Sequence, residues 1–140
     1  MNSMVSIMKP SLQSAFLILV VLTISSCGKA PNETVSVRGA LTFDGEPVPG
    51  MQVFFEPEQG RGSSGLTGED GAFEMYYTRN QKGVQPGAHQ VTFDWTPGDE
   101  SLASKGPPAV VKKLLSHIKK NGPVRVDVSS SQPDLKIALP

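Results

Sequence analysis

The stretch VRGALTFDGEPVPGMQVFFEPE, residues 37–58, decides how the chain folds. With Val35 just before it, Val37, Leu41 and Phe43 fall on one face, while Ser36, Arg38 and Thr42 fall on the other. Alternation at a period of two marks a half-buried strand, because successive side chains point to opposite sides of a sheet. Asp44-Gly45 then supplies a tight turn, and Gly50 closes the connection to a second run in which Met51, Val53 and Phe55 point inward. Two such runs joined by turn residues predict paired strands.

The pattern continues toward the C-terminus. A Gly/Ser-rich loop, GRGSSG at residues 60–65, leads into a short strand near Ser64–Thr67, and Asp70-Gly71 offers another turn. Phe73, Met75 and Tyr77 then share a face in AFEMYYT, and Pro86-Gly87 opens AHQVTFDW, with His89, Val91, Phe93 and Trp95 aligned. In VRVDV, Val124, Val126 and Val128 oppose Arg125 and Asp127; in DLKIAL, Leu135, Ile137 and Leu139 oppose Lys136. Seven strands, most with one apolar face, predict an all-β sandwich of two antiparallel sheets. One helix near residues 109–120 is the exception: Val110, Val111, Leu114, Leu115 and Ile118 recur at helical spacing, between Pro108 and Asn121-Gly122-Pro123.

Upstream, AFLILVVLTI at residues 15–24 carries no charge. A membrane span needs about 20 apolar residues, so the run is short for that purpose and fits the apolar region of a secretory signal, preceded by Lys9. Met8 offers a more compact start than Met1. Leu22-Thr23-Ile24-Ser25-Ser26-Cys27 resembles the lipobox of bacterial lipoproteins, in which the cysteine sulfur receives a diacylglyceryl group and the chain is cut just before it. The resemblance implies a signal peptide at 1–26, a lipidated tether at 27–33, and Cys27, the only cysteine in the chain, as a membrane anchor. Gly28, where many inner-membrane lipoproteins carry aspartate, favours the outer membrane of a cell envelope.

The remainder, 34–140, resembles carboxypeptidase-regulatory-like domains. Their opening pattern, a strand, Asp-Gly-x-Pro-Val-x-Gly and a second strand, is matched by residues 37–58. GLTGEDGAFEM resembles their Thr-Asp-x-x-Gly-x-Phe signature through Thr67, Gly71 and Phe73, with Gly68 in place of the aspartate. VQPGAHQVTF resembles their Pro-Gly-x-Tyr-x-Val strand entry, with His89 in place of tyrosine. The resemblance implies a transthyretin- or prealbumin-like Greek-key sandwich and gives Asp44, Gly45, Gly50, Asp70, Gly71, Pro86 and Gly87 structural roles in turns. It implies no shared chemistry.

Composition narrows the functional classes. Thirteen basic and 13 acidic residues balance without any like-charge block, which argues against a nucleic-acid partner. An iron site of two Tyr and two His, as in intradiol dioxygenases of prealbumin-like fold, would need Tyr76, Tyr77, His89 and His117 to converge, yet adjacent strand residues diverge. The Tyr-Arg-Gly-Ser ending of hydroxyisourate hydrolases is missing, and GRGSSG lacks the lysine and helix of a phosphate loop. Asp44, Asp70 and Asp134 read as turn residues, Trp95 as core, and Lys112, Lys113, Lys119 and Lys120 as a solvated helix face. No catalytic, cofactor or metal site is therefore expected. The expected function is that of a membrane-anchored, non-catalytic sandwich meeting an envelope protein or glycan. Carbohydrate binding is the alternative, and an enzyme of prealbumin-like fold the more distant one.

Overall fold

The computed structural model describes residues 33–98 and 100–140. The expected signal peptide 1–26, Cys27 and nearly all of the expected 27–33 tether lie outside the described residues. Two sheets enclose one apolar core. In chain order the strands are β1 (Val37–Phe43), β2 (Glu46–Pro47), β3 (Met51–Pro57), β4 (Ser63–Leu66), β5 (Ala72–Glu74), β6 (Tyr76–Thr78), β7 (Gln81–Lys82) and β8 (Gly87–Trp95). Helices α1 (Glu100–Lys105) and α2 (Ala109–Asn121) follow, then β9 (Val124–Val128) and β10 (Gln132–Leu139). One sheet runs β10-β1-β2, with β5 also on β1; the other runs β7-β6-β4-β3-β8-β9.

The inward faces are those the alternation predicts. Val37, Leu41, Met51, Val53, Phe55, Met75 and Val91 are fully buried, and Phe43, Phe73, Phe93, Val128 and Ile137 join them. Val124, Val126, Leu135 and Leu139 pack against this core at half exposure. Thr67 is a buried polar residue beside this core, and its hydroxyl oxygen accepts the Met51 N–H at 2.8 Å.

The turns are built as their residues require. Asp44 and Gly45 both have positive φ, 50° and 77°, and connect Phe43 to its partner Glu46. That sign pair belongs to the two-residue hairpin turn whose twist matches its strands. The Asp70 carboxylate accepts the Ala72 N–H at 3.1 Å, which folds 68–72 into a compact turn, and Gly71 at φ 76° sits inside it. Gly50 donates to the Thr67 carbonyl, and Pro86-Gly87 leads directly into β8.

Three features depart from expectation. β1 and β10 pair in parallel, whereas two wholly antiparallel sheets were expected. Alternation fixes which face a residue takes but carries no information on strand direction. The run AFEMYYT is divided at Met75: β5 pairs with β1 in one sheet, and β6 pairs with β4 in the other. Met75 bridges the change, its N–H donating to Val37 and its carbonyl accepting from Gly83. Finally, the described residues hold two helices rather than one. At six residues α1 is too short to register as periodicity, although Glu100 in its first turn and Lys105 in its last complement its dipole.

Helix α2 forms where predicted. Gly122 at φ 84° ends it, donating to the Ile118 carbonyl, and Val111 and Leu114 are its buried positions. It packs on β1 and β8, with His117 edge-on to Phe43 at 5.6 Å. Among the described residues no helix is long and apolar enough to cross a membrane.

Candidate functional site

The outer face of the six-stranded sheet holds a cleft of about 410 Å³, lined by β3, β4, β6 and the loop before β4. Its floor follows from strand register. Tyr76, Ser64 and Phe54 are successive cross-strand neighbours that line it, flanked in the same row by Lys82 and Thr92, so small Ser64 separates two aromatic residues. Tyr76 is 38% exposed, and Phe54 is half-buried at a position where the alternation of MQVFFEP would place a polar residue.

Charged groups hold this surface in shape. The Tyr76 hydroxyl donates to the Glu74 carboxylate at 3.0 Å, and the Lys82 ammonium reaches the same carboxylate at 3.0 Å while lying 5.7 Å from the Tyr76 ring centre. Arg38 adds a third contact to Glu74 at 3.2 Å. The hydrogen bonds from Lys82 and then Tyr76 hold the Glu74 carboxyl below its ordinary range, and Glu74 in turn raises Lys82 above its own. Beside them, Arg61 donates to the Tyr77 carbonyl at 3.1 Å and lies over the buried Tyr77 ring at 6.0 Å. Arg79 and Glu56 complete the rim. Two aromatic side chains, the pinned Arg61 guanidinium and hydroxyls at Ser64 and Thr78 suit a planar or polyhydroxylated ligand with an acidic group.

The N-terminal segment enters at the same end of the sandwich. Thr34 donates to the Lys82 carbonyl, and Val35 bridges to Val84. Helix α2, against Phe43 at the far end of β1, occupies the opposite pole.

The other candidates are dispersed. Tyr76 faces solvent and Tyr77 the core, so the two do not meet. His89 is buried on β8, its Nε2 2.7 Å from the Gln85 carbonyl and its ring 5.7 Å from that of Phe55, while its Nδ1 has no partner among the described residues. His117 lies on α2. Among the described residues no three His, Cys, Asp or Glu side chains are placed to hold a metal ion. Trp95 is half-buried and packed on the core beside Gly50. Asp44, Gly45, Gly50, Asp70, Gly71 and Pro86 lie in connections and Gly87 opens β8; none of the seven lines the cleft. Sequence reasoning passed over the cleft itself. Its one signal was Phe54, an aromatic at an outward position.

No family model matches the chain, and no curated protein or solved structure matches it.

Proposed function

We propose that the chain is a membrane-anchored, non-catalytic lipoprotein whose outer sheet face binds a partner in a bacterial cell envelope. The observation that carries this reading is the cleft. It is preorganised by the Glu74–Lys82–Tyr76 contacts and presents aromatic, guanidinium and hydroxyl groups for recognition. Anchorage rests on the lipobox-like junction at Cys27, with Gly28 favouring the outer membrane. One acyl chain holds a protein only marginally, so the diacylglyceryl group and a further acyl chain on the new amino group together give stable attachment. A tether of seven residues reaches at most about 25 Å, so the pole carrying Thr34 and the β6–β7 hairpin would sit nearest the membrane.

The sandwich is of the carboxypeptidase-regulatory-like, transthyretin-like type with a Greek-key path. In support, the Asp44-Gly45 turn, the Asp70-Gly71 turn and the Pro86-Gly87 strand entry occur in that family's order.

Capture from envelope membranes tests the reading, using wild type and the Arg61→Ala and Tyr76→Ala variants as bait. A partner retained by wild type and lost by both variants supports it, and equal capture by all three removes the cleft from consideration. The second reading, carbohydrate binding, draws on the Phe54 and Tyr76 rings either side of Ser64. Glycan-array binding abolished by Tyr76→Ala in a folded protein would favour it.

A further inference from the structure

Strand β9 ends the six-stranded sheet, and among the described residues its outer edge has no strand partner. Helix α2 has its main packing on β1 and β8. Edges of this kind offer unpaired N–H and C=O groups to any strand that fits. What fits this one is set by its own sequence, Val124-Arg125-Val126-Asp127-Val128. From this edge we infer that two copies of the chain pair antiparallel along β9, about a two-fold axis at Val126.

Charge fixes that register. Placing Val126 opposite Val126 of the second copy sets Arg125 opposite Asp127, and Asp127 opposite Arg125, on the exposed outer face. Val124 then faces Val128 on the inner face. Neither Arg125 nor Asp127 has an ion pair among the described residues, although both are exposed and on the same face. Slipping the pairing by two residues removes both matches, and slipping it by one turns each strand's faces over.

Backbone direction agrees. The Asp127 carbonyl accepts from the Gln132 side chain at 3.3 Å, so it points away from β8. In an antiparallel pair alternate residues direct both backbone groups to the same side. Arg125 and Asp127 therefore present their N–H and C=O groups to the free edge, and in this register they form hydrogen-bonded pairs with each other across the axis. The Gln132 contact, longer than a good amide bond, is easily shared or displaced.

The other long edge strand is a poorer fit. In β10, Asp134 and Lys136 already face each other at 3.9 Å within one chain, and Pro133 has no N–H to give. The β9 pairing requires neither the lipid anchor nor the cleft, so it stands or falls separately from the proposed function.

The test is sedimentation equilibrium of the full chain in detergent, for wild type, Arg125→Asp, Asp127→Arg and the double exchange. Wild type should show a monomer–dimer equilibrium. Each single reversal sets like charges opposite one another twice and should weaken the dimer by about tenfold or more. The double exchange should restore it, and an equimolar mixture of the two single variants should form heterodimers. Should a variant fail to fold, hydrogen exchange on wild type decides the matter: the Arg125 and Asp127 amides should gain protection as protein concentration rises. A wild type that stays monomeric to about 1 mM, a dimer indifferent to both reversals, or exchange independent of concentration would overturn the inference.

Discussion

Gly45 and Gly71 occupy the second position of the two Asp-Gly turns with almost the same φ, 77° and 76°, so alanine at either should carry the same backbone strain. For an L-residue in that region the cost is about 1–2 kcal/mol. Their surroundings differ. An added Cβ at Gly45 meets nothing within 4 Å, whereas at Gly71 it lies 2.5 Å from the Leu41 carbonyl oxygen and 3.2 Å from the Val48 nitrogen. That carbonyl accepts the Val48 N–H at 3.1 Å, and the Leu41 N–H donates to Gly71 itself at 2.9 Å. Relieving the contact must move the turn off β1 and loosen both bonds, at about 1–3 kcal/mol for each group left unsatisfied. Gly45→Ala should therefore cost about 1–2 kcal/mol, and Gly71→Ala about 3–8 kcal/mol. Urea unfolding of the 34–140 domain, followed by circular dichroism and compared at unchanged slope, measures both. Gly45→Asn, which tolerates positive φ, should recover most of the smaller loss. Losses within about 0.5 kcal/mol of each other at the two glycines would refute the close-approach argument.

Four further outcomes are expected. Cys27→Ser should abolish incorporation of a fatty-acid analogue and release the protein from membranes; equal labelling of variant and wild type would remove the lipoprotein assignment. Truncating buried Val91 or Phe55 to alanine should cost about 2–5 kcal/mol through lost burial and cavity formation, against about 0.5 kcal/mol or less for exposed Lys136→Ala. Thr67→Val keeps the volume but strands the buried Met51 N–H, for a loss of about 1–3 kcal/mol read from the same unfolding curves. The Glu74 carboxyl is held low in the folded state, so its stabilising effect is present above the ordinary carboxylate range and is lost as pH falls through its folded value. Glu74→Gln should accordingly lower the unfolding midpoint at neutral pH, with the difference from wild type closing in acid; a gap of constant size would show that Glu74 acts through packing alone.

The alternating runs were sufficient to place Val37, Leu41, Met51, Val53, Phe55, Phe73, Met75 and Val91 in the core, because side-chain direction along a strand follows from local geometry. The two Asp-Gly turns and helix α2 were legible for the same reason, since a turn residue, a 3.6-residue period and a terminating glycine act over a few positions. Cys27 remains a reading of sequence alone, outside the described residues. What the sequence left open was non-local. The parallel partnership of β1 and β10 joins segments some 95 residues apart, and nothing in either strand specifies the direction of its neighbour. The division of residues 72–78 between two sheets at Met75 depends on which strands lie on each side, although Phe73, Met75 and Tyr77 all point inward as their spacing requires. The cleft is non-local in the same way: Phe54, Ser64 and Tyr76 become neighbours only when β3, β4 and β6 pair in register. Hydrophobic period determines which side of each strand is buried; only the closing of the sheets around one core decides which outward residues stand together.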